Sequence, residues 1–290
     1  MTKLLWLRLL APVAGRFPGL FYGVASVVGW AAWKTQTEWR GNLIRNLLPL
    51  CGGDPVRAQH ESLRAYRNVA RYWVDVTTLP YRHMANFERD HLQIENAERL
   101  AILDEPGALV AVSAHTGNVE LAIQALTYRG RPFVALVERL DPPALMRYML
   151  RLRSAAGAQF HEANFRGLRA CVEALRQGQI VGVMGDRDIQ GTGMCATLAG
   201  RQVRLPRGPW DLARRTGATV LPVFSHRIDG DDFRMFIEEP FRVEVTGDED
   251  CDIRRAIERW ASILEAHLQR DPGQWTVLED FWSVHACAES

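Results

Sequence analysis

Lysine is almost missing from this chain: of its 35 lysines and arginines only Lys3 and Lys34 are lysine. Arginine carries a planar fork suited to phosphates and carboxylates. A GC-rich coding sequence gives the same bias, so composition alone assigns no site. Net charge is also lacking, at +1 for 290 residues, which excludes a global field drawing the protein to nucleic acid. Cysteine is sparse. Cys51, Cys171, Cys195, Cys251 and Cys287 stand apart with no CxxC spacing, which speaks against a zinc ribbon, a redox motif or a disulfide framework and for a reducing compartment. No repeat and no low-complexity linker divides the chain.

An uncharged run of the about 20 residues that a spanning helix needs is missing too. The nearest approach is Phe17 to Trp33 (FPGLFYGVASVVGWAAW), flanked by Arg16 and Lys34, with a further apolar stretch from Leu4 to Val13 broken by Arg8. Pro12, Pro18 and several glycines weaken a single straight helix. A compact apolar region followed by a cleavage site is absent, so a cleaved signal peptide fits poorly. The segment reads as a membrane anchor or interfacial hairpin, with Trp6, Trp30 and Trp33 at headgroup depth. A buried core helix is the alternative.

The chain does have ample core-forming material, with 47% hydrophobic residues. Asp54-Pro55 looks like an N-cap followed by proline at the first helical position, opening a helix that runs to before Pro80. From residue 108 short apolar strands alternate with amphipathic helices. The strands expected are Leu109–Ser113, Phe133–Val137, Ile180–Met184 and Thr219–Phe224. The helices expected are Val119–Tyr128, one opened by Asp141-Pro142, one capped by Asn164, and a last one over Ile253–Leu268. This succession predicts an α/β fold, with a mixed, mostly parallel central sheet flanked by helices. Residues 1–50 read as a membrane-associated helical segment and 51–290 as the α/β catalytic domain.

Ligands of open α/β sheets gather beyond the carboxyl ends of the strands. Three such ends carry polar clusters here: His115 and Glu120 in SAHTGNVE, then Glu138-Arg139, then Gly185-Asp186-Arg187-Asp188. A hydroxyl is a poor nucleophile at neutral pH, so moving an acyl group onto it needs a base such as histidine, oriented by a carboxylate. Glu120, in the first helical turn, is the expected partner of His115, with backbone N–H groups near Gly117 available to an oxyanion. As an isolated pair the two residues carry little; the strand–turn–helix setting raises them. Arg139 suits a phosphate or sugar oxygen of the acceptor, or a salt bridge to Glu138 or Asp141. Arg147, Arg151 and Arg153 read mainly as a solvated face. Asp186 and Asp188 bracket Arg187 in a glycine-rich turn, where they bind acceptor hydroxyls or hold the turn.

The segment V-S-A-H-T-G-N-V-E resembles the H-x4-D/E motif of the lysophospholipid acyltransferase superfamily, in its bacterial lipid A lauroyl/myristoyl acyltransferase branch. Val137-Glu138-Arg139, GLRACVEALRQGQIVGVMGDRD (167–188), GPWDLARRTGATVLPVF (208–224) and Gln274-Trp275 are similar to further segments of that family, in order. The DRD and the QWTVLEDFW stretch resemble the phosphatidylinositol mannoside acyltransferase-like members. The resemblance implies an O-acyltransferase that moves a fatty acyl chain from acyl-CoA or acyl-carrier protein to a glycolipid or phospholipid hydroxyl. It implies His115 and Glu120 as catalytic residues and Arg139, Asp186, Arg187 and Asp188 as substrate-binding ones. It calls for no cofactor and no metal, and implies a site on the cytoplasmic face of the cell membrane.

Two other enzyme classes compete. A metal-dependent glycosyltransferase would use Asp186-x-Asp188, but leaves His115 and Glu120 idle. A serine hydrolase would use Ser113, which lacks the G-x-S-x-G elbow. An inactive scaffold of the same fold is the non-enzymatic reading.

Overall fold

A computed structural model describes residues 11–287. Its strands are, in chain order, β1 (Leu92–Glu95), β2 (Leu109–Ser113), β3 (Phe133–Val137), β4 (Gln159–Glu162), β5 (Ile180–Met184), β6 (Met194–Leu198), β7 (Arg201–Leu205), β8 (Thr219–Asp229) and β9 (Asp232–Ile237). Seven form one sheet in the order β1-β9-β8-β2-β5-β3-β4, while β6 and β7 make a separate antiparallel hairpin. Pairing is parallel from β8 through β4; β9 folds back antiparallel on β8, and β1 joins it in parallel. The fold is the expected α/β one with a mixed, mostly parallel sheet.

The strands alternate their side chains between two apolar layers. Val110, Val112, Val181, Val220 and Phe224 face one layer. Leu109, Ala111, Phe133, Ala135, Ile180, Leu221 and Val223 face the other. Every residue of β2 is buried, as a strand covered on both faces requires.

The N-terminal third is helical. After a helical turn over 11–16 come α1 (Pro18–Thr35), α2 (Thr37–Leu47) and α3 (Pro55–Thr78). Asp54 caps α3 as expected, its carboxylate accepting from the N–H groups of Val56 and Arg57 at 2.9 and 3.2 Å. Tyr22, Ala25, Gly29 and Trp33 make one buried stripe of α1. Gly29 lies so close to α3 that a Cβ there would meet the Arg67 Cα at 2.8 Å. The opposite side of α1 shows Phe17, Leu20, Val24, Val27, Val28 and Trp30 to solvent, Leu20 at 69% exposure. Among the described residues no helix is long and apolar enough to cross a membrane.

Three expectations need correction. Trp33 is not at headgroup depth: it is buried, and its indole donates to the Ser62 hydroxyl at 2.9 Å. Trp6 lies outside the described residues. The cysteines do form one disulfide, Cys195–Cys287: the C-terminal segment docks on the β6–β7 hairpin, Ala286 bridging to Val203 of β7, which brings together residues 92 apart. Finally, Arg153 is not on a solvated face, since it turns inward to Glu120.

The remaining helices are α4 (Met84–His91), α5 (Val119–Tyr128), α6 (Pro143–Arg153), α7 (Phe165–Arg176), α8 (Gly208–Thr216), α9 (Glu249–Arg270) and the single turn α10 (Phe281–Val284). Asn118 caps α5, Asn164 caps α7 and Asp248 caps α9.

Candidate active site

Strands β2 and β5 pair in register, Ser113 opposite Met184. His115 and Asp186 each lie two residues past those paired ends, so the sheet itself brings them together. The imidazole Nδ1 meets Asp186 Oδ1 at 2.8 Å, and the His115 backbone N–H donates to Asp186 Oδ2 at 3.0 Å. The indole N–H of Trp275 donates to that second oxygen at 3.0 Å. Asp186 has no exposed surface, whereas the His115 side chain is 33% exposed. A buried carboxylate thus fixes the histidine, and the open Nε2 edge is left for chemistry.

The electrostatics follow. Burial works against the His115 imidazolium, but the adjacent Asp186 outweighs it and holds the histidine above its usual pKa. Burial pushes Asp186 up. His115, by charge and two hydrogen bonds, with the Trp275 indole, more than reverses this and leaves the acid below the usual carboxylate range.

The turn between β2 and α5 is shaped tightly. Gly117 adopts φ 53°, and a Cβ there would lie 1.9 Å from the Ser225 carbonyl oxygen, so only glycine fits. The segment around Gln274-Trp275 crosses this turn like a strap. Gly117 N–H donates to the Gln274 carbonyl at 3.0 Å, and Thr276 gives the His115 carbonyl both its N–H (2.9 Å) and its hydroxyl (3.1 Å). The Gly117 amide is therefore already committed. The first amides of α5 are the ones that helix geometry leaves without an intrahelical acceptor.

Glu120 lies elsewhere than expected. It is 7% exposed and paired with Arg153 at 2.6 Å, and it accepts the Tyr72 hydroxyl at 3.1 Å. Arg153 also donates to Tyr72 at 2.9 Å. Among the described residues no hydrogen bond joins Glu120 to His115; the histidine's carboxylate partner is Asp186. The other oxygen of Glu120, Oε2, is buried without a partner.

The remaining candidates separate in the same way. Arg187 makes a two-point pair with Glu279, at 2.7 and 2.9 Å, and reaches Glu138 at 3.4 Å. Asp188 is buried and accepts the Gly193 N–H at 2.9 Å, so it holds its own turn. Arg139 is exposed beyond β3, with no ion pair to Glu138 or Asp141 among the described residues. Sequence reasoning missed Trp275, Thr276, Arg153 and Tyr72 as site residues. The Gln274-Trp275 match was the one signal for the strap.

A histidine oriented by a buried carboxylate at the strand ends of a mostly parallel α/β sheet has the arrangement of a general base acting on a hydroxyl. Residues 13–283 match the family described as bacterial lipid A biosynthesis acyltransferase, and the chain belongs to that family. It is 30% identical over 264 residues to a phosphatidylinositol mannoside acyltransferase of Mycobacterium tuberculosis (strain CDC 1551 / Oshkosh), covering 84% of this chain and 76% of that one. A phosphatidylinositol mannoside acyltransferase of Mycolicibacterium smegmatis (strain ATCC 700084 / mc(2)155) is 27% identical over 247 residues, covering 83% and 78%. The protein is an acyltransferase of lipid biosynthesis.

Proposed function

We propose that the protein moves a fatty acyl chain from a thioester, acyl-CoA or acyl-carrier protein, to a hydroxyl of a glycolipid at the cytoplasmic membrane surface, with His115 as general base. The hydrogen bond from His115 Nδ1 to buried Asp186 carries this reading. With Nδ1 engaged, Nε2 is the basic atom. It takes the proton from the acceptor hydroxyl as that oxygen attacks the thioester carbonyl. The first amides of α5 stabilise the tetrahedral oxyanion, at the positive end of the helix dipole. The thiolate leaves and takes the proton back from the imidazolium, so no acyl-enzyme forms.

Glu120 keeps a place in this reading as a positioning residue, and not as the orienting partner of His115. Paired with Arg153 and accepting the Tyr72 hydroxyl, it holds the first turn of α5 beside the histidine. Arg139, free of acidic partners among the described residues, binds an anionic oxygen of donor or acceptor. Arg187 and Asp188 hold the site's frame. Neither the reaction as drawn nor the side chains assigned to it calls for a metal or cofactor.

The exposed apolar side of α1, with Arg16 and Lys34 at its ends, supports seating on the lipid surface where such acceptors reside. The names of the mycobacterial relatives support a phosphatidylinositol mannoside-like acceptor. A purified His115→Ala variant, supplied with acyl-CoA or acyl-carrier protein and a mannosylated phosphoinositide, is expected to lose at least about a hundredfold in turnover while melting as the parent does. Unchanged transfer by that variant rules out the assignment.

A further inference from the structure

Away from the reacting atoms, one carboxylate binds four parts of the chain together. Asp75, near the end of α3, has no exposed surface. Its Oδ1 accepts the Tyr22 hydroxyl of α1 at 2.5 Å and faces the Arg82 guanidinium at 3.6 Å. Its Oδ2 accepts the Asn118 amide at 2.8 Å and pairs with Arg227 of β8. Asn118 is the N-cap of α5, its carbonyl oxygen accepting the Leu121 N–H at 3.3 Å. The two oxygens of Asp75 therefore join the apolar N-terminal helix to the turn that carries His115 and to the amides that begin α5.

The Tyr22 end of this link offers one proton to two acceptors. The hydroxyl owns one proton, yet lies 2.5 Å from Asp75 and 2.8 Å from Asp231, with Arg82 donating to its oxygen. A small shift of α1 would re-aim the hydroxyl, proton kept, from Asp75 to Asp231. When Asp231 is the acceptor, Asp75 loses a donor and its grip on Asn118 changes. Burial and the neighbouring carboxylates keep Tyr22 protonated, so it remains a donor throughout. The outer side of α1 is the apolar one, so a lipid surface fixes the seat of this helix where water does not.

We propose that Asp75 is a positioning residue through which the seating of α1 on lipid sets the geometry of the His115–Asn118 turn. This rests on the lipid-surface reading above and adds that the surface raises turnover instead of merely concentrating the enzyme. The contact is energetically able to do so: a hydrogen bond to a buried charge shifts a local equilibrium by roughly tenfold.

The test uses the full chain, its Tyr22→Phe and Asp75→Asn variants, and vesicles of mixed phosphatidylglycerol and phosphatidylcholine. Amide exchange at residues 116–121 and acyl transfer to a short-chain, water-soluble acceptor are both read with and without vesicles. In the parent, vesicles are expected to slow exchange of those amides about threefold or more and to raise turnover similarly. Tyr22→Phe keeps the outer side of α1, so it binds vesicles as the parent does but shows neither response. Asp75→Asn is expected to lower turnover in both conditions. Vesicle-bound parent with unaltered exchange at 116–121, or full protection surviving in Tyr22→Phe, overturns the proposal. Transfer that ignores vesicles defeats the coupling and leaves the acyl-transfer reading standing. Tyr22-dependent protection without any transfer does the reverse.

Discussion

Asp186 sets the working state of His115, and its removal has a signed consequence. With the carboxylate present, His115 titrates above the ordinary histidine value of about 6.5. With His115 as the proposed base, the acid limb of kcat/KM, where that base becomes protonated, is expected above that pH. In Asp186→Asn the chief cause that favours the imidazolium is gone, leaving burial and Arg187 against it and only Glu138 for it. The acid limb moves to lower pH while the plateau drops by about 10²–10⁴. A pH–rate profile of the two proteins checks both; a limb that stays in place removes Asp186 from the role. Both residues were legible as candidates from sequence, but their pairing was not. Glu120, five residues from His115, looked the natural partner because local spacing is visible in a sequence and sheet register is not. The equal distance of His115 and Asp186 from their strands' ends held the missing information, and it becomes readable only once β2 and β5 are known to pair. Glu120 was misplaced because its true partner, Arg153, had been assigned to a charged outer face.

At the scale of elements, the buried strands and capped helices were readable because each has a strong local cause. Asp54, Asn164 and the apolar runs of β2, β3 and β5 are such causes. The edge strands β1 and β4 and the hairpin β6–β7 were not, being short and only half buried. Helix α1 shows the limits of composition most clearly. Its apolarity suggested a membrane anchor or interfacial hairpin, with a buried core helix as the alternative, and a stripe of four of its residues is buried. The close approach of α1 to α3 depends on Gly29. Gly29→Ala is expected to force α1 off the backbone of Arg67 and to cost about 1–3 kcal/mol, read as a lower melting temperature. An unchanged melt would mean that α1 is not seated as described.

The whole molecule carries an acid sensitivity independent of its active site. His226 is buried against Phe236 and beside His267, and burial foremost, then the nearby cations, pushes its pKa down to about 3. Its folded pKa is thus depressed below the unfolded value. The stability it confers is present above about pH 6.5 and is lost progressively as pH falls towards 3. Between pH 7 and 5 this amounts to about 2 kcal/mol from His226 alone. Buried His267, depressed for the same first reason, adds to it. Urea unfolding at the two pH values measures the loss, and His226→Phe is expected to shrink it. A parent protein equally stable at both shows that His226 is charged in the folded state.

The strap has a consequence for how the enzyme is made. A ribosome that has synthesised the sheet and α9 has produced every described strand and both His115 and Asp186. The contacts that complete the site, from Gln274, Trp275 and Thr276, arrive up to 161 residues after His115. Until then Gly117 lacks its Gln274 acceptor and Asp186 its indole donor. The site described above is therefore complete only once the strap has docked on the turn.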